Sequence, residues 1–60
     1  MFKEFELSNK KKIKINLNNV MSVTYNVSLN DRVYIGVYYV DGTHDEFHGI
    51  DAEVIWRGIE

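Results

Sequence analysis

The stretch RVYIGVYYVDGTHDEFHGID, Arg32 to Asp51, decides how the chain folds. Arg32–Val40 is β-branched or aromatic nearly throughout, the composition of a strand. Successive side chains on a strand point to opposite faces. Val33, Ile35, Val37 and Tyr39 therefore share one face, and Tyr34, Gly36, Tyr38 and Val40 share the other. Both sets are apolar, which predicts a strand covered on both sides. Asp41-Gly42 is the strongest short hairpin signal, a two-residue type I′ turn. Counting back from that turn sets Val40 opposite Thr43, Tyr38 opposite Asp45 and Gly36 opposite Phe47. The Phe47 ring would then cover the gap at Gly36. The same count places His44, Glu46 and His48 beside Tyr39, Val37 and Ile35.

His44, Glu46 and His48 are spaced by two, so they share one side of the return strand. Two imidazoles and a carboxylate suggest a metal triad or an acid–base pair. Neighbours on one strand diverge, however, and metal sites draw ligands from more than one element. The helical HExxH spacing is absent. The chain has no cysteine, and no serine or threonine has an evident base partner. Gly36, Gly42, Gly49 and Gly58 are isolated and form no phosphate loop. The run reads as a polar strand face, with no metal, no cofactor and no catalysis expected.

Upstream, FKEFELSNKKKIKINL reads as a first hairpin. Phe5 and Leu7 alternate with charges on one arm, and Ile13, Ile15 and Leu17 alternate with polar residues on the other. Ser8-Asn9-Lys10 supplies the turn, with Asn9 best suited to a positive φ. Lys12 and Lys14 fall on the outer face, where lysines discourage edge pairing. After a polar pause at Asn18-Asn19, Met21, Val23, Tyr25 and Val27 mark one face of a third strand, and the SLND run after it is a loop. Downstream, GIDAEVIWRGIE predicts a helix of about two turns. Asp51 is the candidate N-cap, Ile50 and Ile55 a hydrophobic staple, and Glu53–Arg57 an i,i+4 pair. Ala52, Ile55, Trp56 and Ile59 share a face that must dock on the sheet. The reading is one α+β domain over residues 1–60, an antiparallel sheet of about five strands with a short C-terminal helix on it. Phe5, Leu7, Ile13, Ile15, Val23, Val33, Ile35, Val37, Ile55 and Ile59 are the expected core.

A chain of 60 residues buries only about 60% of its unfolded surface. Without cysteine it has no disulfide to compensate, so self-association is the attractive remedy. The doubly apolar central strand points the same way, to a homo-oligomer. Residues 1–40 carry six Lys or Arg against three acids, and residues 41–60 carry one against six. That split suggests head-to-tail electrostatics and disfavours duplex DNA, which calls for a basic face. No apolar run approaches the roughly 20 residues of a membrane span, and MFKEFELS lacks an apolar signal core. No membrane association and a cytoplasmic location are expected.

The aromatic residues are the better functional lead. Tyr25, Tyr34, Tyr38 and Trp56 can stack on a base or anchor a protein. Lys12, Lys14, Arg32 and Arg57 could hold phosphates beside them. These eight are the candidate ligand-binding residues. The leading expectation is a non-enzymatic, oligomeric protein that sequesters a small anionic, nucleotide-like ligand at a subunit interface. The alternatives are a module that inhibits or scaffolds a protein partner and a binder of single-stranded nucleic acid.

The segments SVTYN, VYIGVYYVDGTHDEF and GIDAEVIWRGI resemble the small KTSC domain, over about residues 22–59. Ile50-Asp51 stands where KTSC-like sequences tend to place a proline before the helix. The first hairpin with NLNNVMSV is similar to the small flagellar FlbD-like proteins. Both resemblances imply a compact sheet-plus-helix binding module and supply no catalytic residue. In size, class and expected oligomerisation the chain also resembles small phage proteins that sequester the nucleotide signals of bacterial immunity.

Overall fold

The structure is a computed structural model that describes residues Met1–Ile59. In chain order the elements are β1 (Phe2–Glu6), β2 (Lys12–Asn16), a 3-10 turn (Leu17–Asn19), β3 (Val20–Val27), β4 (Val33–Tyr39), β5 (His44–His48) and α1 (Gly49–Ile59). The fold is α+β, as expected. Its five strands divide into two antiparallel sheets, β1–β2 and β3–β4–β5.

One loop geometry closes all three hairpins. Leu7 N–H donates to Lys11 O, and Leu7 O accepts from Lys10 N–H. Ser28 makes the same pair with Arg32 and Asp31, and Tyr39 makes it with Thr43 and Gly42. Each loop encloses three residues, and the last is left-handed: Lys10 at φ 66°, Asp31 at φ 64° and Gly42 at φ 91°. This is the three-residue loop with a G1-type bulge. The left-handed position in the first loop is Lys10, not the expected Asn9. The Asn9 side chain is used instead to accept Lys11 N–H at 2.9 Å.

The third loop overturns the register expected from a two-residue turn. Val40 belongs to the loop with Asp41 and Gly42, and it is exposed. Asp41 Oδ1 accepts Thr43 Oγ1–H at 2.6 Å and Thr43 N–H at 3.0 Å, which fixes the loop. Tyr38 consequently pairs with His44, Val37 with Asp45, Gly36 with Glu46, Ile35 with Phe47 and Tyr34 with His48. A slip of one residue moves every side chain of a strand to its other face. Phe47 therefore joins Ile35 on the inner face rather than covering Gly36. His44, Glu46 and His48 join Tyr38, Gly36 and Tyr34 on the outer face.

The inner face of β4 supplies the centre of the core. Ile35 and Val37 are fully buried together with Ala52 and Ile55 of α1, and Phe5 and Ile15 of the first hairpin complete the cluster. Helix and hairpin thus share the cover of one sheet face. Leu7, Ile13, Val23, Val33 and Ile59 pack around the cluster half-buried. Within the chain, apolar packing covers only the inner face of β4. The outer face of this sheet is roofed only by its own tyrosines and histidines.

Helix α1 runs eleven residues, about three turns, and follows β5 without a loop. Gly49, at φ 62°, makes the corner. The helix starts two residues before Asp51, so Asp51 is not its N-cap. Its carboxylate accepts Ser8 N–H at 2.8 Å and ties the first turn to the first hairpin. Ile50 is exposed and forms no staple. At the other end Lys3 Nζ donates to Gly58 O at 2.8 Å, so a lysine from β1 satisfies a C-terminal carbonyl of the helix.

Candidate functional site

The outer face of β3–β4–β5 collects the aromatic chemistry. Gly36 leaves a gap in the middle of β4, and the Tyr38 ring folds back over it. A Cβ on Gly36 would stand 3.0 Å from Tyr38 Cε2 and 3.1 Å from both Tyr38 Oη and Thr24 Oγ1. The Tyr38 ring also stacks on His44, with centroids 5.5 Å apart and planes 24° from parallel. One pair further along, Tyr34 stacks on His48 at 5.9 Å and 22°. The two stacks arise because cross-strand neighbours on one face bring their Cβ atoms within reach. His48 Nε2 lies 2.9 Å from Glu46 Oε1, which fixes the ring edge-on to the carboxylate. Ser22, Thr24 and Asn26 of β3 flank the tyrosines on the same face.

Beside His48 lies a cleft of ≈ 520 Å³, which His48 of this stack lines together with Val33 of the inner face. Arg32, His48, Gly49 and Ile50 line it, together with the carboxylate-bearing residues Asp31 and Glu53. The first turn of α1 borders it, where backbone N–H groups lack helical partners. Glu53 is engaged elsewhere: its Oε1 accepts the Tyr25 hydroxyl at 2.9 Å. That hydrogen bond, ahead of burial, raises the Tyr25 pKa.

The eight candidate residues are distributed over three places. Tyr34 and Tyr38 lie on the outer face, and Arg32 sits beside it in the cleft. Tyr25 is on the inner face of β3, its ring 5.0 Å from that of Trp56, with Arg57 of the next helix position near the same pair. Glu53 turns to Tyr25, and no Glu53–Arg57 ion pair forms among the described residues. Lys12 and Lys14 stand on the first hairpin, directly across from Glu6 and Glu4. Opposite charges in cross-strand positions contribute roughly 0.2–1 kcal/mol to pairing. The lysines are thus part of a charge ladder on the first hairpin, and they face acids rather than the tyrosines.

His44 and His48 were not among the candidates, yet they are the stacking partners of both outer tyrosines. The signal was in the loop. Val-Asp-Gly before a threonine fits a three-residue loop with glycine last, and that count alone sets His44 beside Tyr38. Among the described residues no group of three or more His, Asp or Glu is placed to hold a metal ion. No described helix is long and apolar enough to cross a membrane. Comparison with family models, curated proteins and solved structures gives no match.

Proposed function

We infer that this chain is a binding protein, not an enzyme, and that it takes a planar, nucleotide-like ligand on the outer face of its three-stranded sheet. The observation that carries this reading is that His48, the stacking partner of Tyr34, also lines the cleft that holds Arg32. A base would stack on the exposed His48 ring beside the half-buried Tyr34, a contact worth about 1–3 kcal/mol. Its phosphate would reach the Arg32 guanidinium, whose planar fork suits phosphate oxygens. Asp31 in the same cleft limits the charge it accepts, which favours one phosphate over several. The expected element order of a KTSC-like or FlbD-like binding module supports the same class. This reading draws on Tyr34, Tyr38 and Arg32 from the candidate set and leaves Tyr25, Trp56, Arg57, Lys12 and Lys14 outside the ligand contact.

The test is thermal melting against a panel of linear and cyclic nucleoside monophosphates and dinucleotides, followed by calorimetric titration of any hit. Ligand at one hundred times its Kd adds about 2.7 kcal/mol. In a domain this small each kcal/mol moves Tm by roughly 4–8 °C, so a true ligand shifts melting by about ten degrees or more. Tyr34→Ala and Arg32→Ala should each weaken binding at least tenfold, while Trp56→Phe should leave it unchanged. No shift with any nucleotide, or equal loss from all three variants, would refute the assignment.

A further inference from the structure

A different surface carries a second conclusion. β3 is an edge strand with β4 as its one neighbour in the sheet. It is eight residues long and carries no charged residue, and neither does the run from Val20 to Asn30. β1, β2 and β5, by contrast, each carry charged side chains. Natural edges are normally guarded by charge, proline or a bulge; β3 has no charge or proline, and its one register shift, between Val20 and Ser22, leaves Ser22–Val27 in regular pairing. Some of its apolar side chains are exposed as well: Met21 is 66%, Val27 58% and Leu29, just past the strand, 109% exposed.

The direction of its free backbone groups follows from the loop. Ser28 donates to Arg32 O, so Ser28 faces β4. In an antiparallel ladder residues alternate between facing the partner and facing away. Val27, Tyr25 and Val23 therefore point their N–H and C=O groups to the open side. We propose that a second copy of this chain pairs antiparallel with β3 about a two-fold axis through Thr24. A two-fold that makes strands antiparallel in one sheet keeps both inner faces on the same side. Residues on the same face must then oppose each other, which forces the register sum to be even. With the axis at Thr24, Val23 faces Tyr25 of the second copy within the regular stretch Ser22–Val27. These are β-branched–aromatic pairs, which stabilise sheets. An uncharged strand meets itself without like-charge repulsion, whereas self-pairing of β5 about Asp45 or about Glu46 would set that carboxylate against its own copy. The result is a six-stranded sheet with an isologous interface. The axis sets Ser22, Thr24 and Asn26 of both copies between two outer aromatic wings. The pairing does not depend on the ligand reading, because it uses the strand edge and not the face.

The interface is small, so the dimer belongs to the weak class, seen by sedimentation at concentrations up to about 1 mM. Because the chain has no cysteine, single cysteines report the register cleanly. Thr24→Cys places the two thiols across the axis in a non-hydrogen-bonded pair, where Cα atoms lie about 4.5 Å apart and a disulfide fits. Asn26→Cys, on the same face, opposes Ser22 of the other copy instead. Thr24→Cys should form a disulfide dimer at least tenfold faster than Asn26→Cys. Val27→Lys, at an exposed position that leaves the fold intact, should abolish the dimer seen by sedimentation. A chain that stays monomeric at the highest concentration, a dimer indifferent to Val27→Lys, or equal crosslinking of the two cysteines would each overturn the proposal.

Discussion

At the scale of single residues, Gly36 under the Tyr38 ring and Gly58 under the Phe5 ring show how near a backbone can come to a ring. Gly58 lies on α1 against the Phe5 ring, and a Cβ there would fall inside the ring's van der Waals envelope, with Phe5 Cζ at 2.9 Å. Glycine in a helix interior normally costs about 1 kcal/mol relative to alanine. Here the sign reverses, because Phe5 is buried in the core and has no room to retreat. Gly58→Ala should destabilise the domain by about 1–3 kcal/mol, the usual cost of overpacking, read as a lower urea midpoint. Tyr39 supplies a pH-dependent term. Burial first, and then its 2.7 Å hydrogen bond to Asp45 Oδ2, raises its pKa well above the ordinary tyrosine value. The unfolded chain ionises Tyr39 near pH 10, while the folded chain holds the proton. Its contribution is therefore whole below pH 10 and is lost as pH rises from there through the folded-state value. Urea midpoints should fall between pH 9 and pH 11, and Tyr39→Phe should flatten that decline. The exposed Tyr25, also raised, acts with the same sign. A decline unchanged by Tyr39→Phe would assign it to other groups.

At the scale of elements, the strands and the helix were legible and the turns were not. Period-two alternation placed Phe5, Ile15, Ile35 and Val37 in the core, and helical spacing placed Ile55 there and Ala52 on the docking face, where it too is buried. Those patterns depend on burial, which is a property of whole segments. Turn geometry depends on one or two backbone hydrogen bonds that side-chain patterns do not announce. Asp41-Gly42 fits a two-residue turn by composition, and it fits equally well as the last two residues of a three-residue loop. Asp51 likewise has the chemistry of an N-cap, but Gly49 takes the left-handed corner first and the helix begins before it. The candidate site inherited the error. Tyr34 and Tyr38 were found from their residue type, and His44 and His48 were missed because the register was off by one. The loops also make a prediction. Lys10 holds φ 66° without being glycine, a conformation that costs an L-residue roughly 1–2 kcal/mol. Lys10→Gly should stabilise by about 0.5–1 kcal/mol after glycine's extra chain entropy is subtracted. Gly42→Ala should destabilise by about 1 kcal/mol, although a Cβ there meets nothing within 4 Å. Chemical denaturation of the two variants separates backbone strain from steric contact.

At the scale of the whole molecule, the core among the described residues is six buried side chains shared among four elements. A 60-residue domain at typical stability holds roughly 3–9 kcal/mol. Ile55 is fully buried where helix, sheet and hairpin meet. Ile55→Ala should cost about 2–5 kcal/mol, enough to leave a large unfolded fraction at 37 °C by circular dichroism. A variant that melts within a few degrees of the parent would show that the core is not centred there. The helix is held at both ends by the first hairpin, through Lys3 to Gly58 O and Ser8 to Asp51. Sheet, helix and hairpin therefore unfold as one cooperative unit.

The repeated three-residue loop has a consequence for how this chain can change over generations. A strand reads in a frame of two, and each loop sets the phase of the strand that follows it. Losing one residue between Val40 and Gly42 would send Phe47 to water and carry Glu46 and His48 toward Ile55. Losing or gaining two would keep the phase and alter only the loop. Point substitutions on the outer face of β5 are cheap by comparison. Insertions and deletions in this chain are therefore expected to survive in even numbers, a parity rule written into the backbone rather than into any side chain.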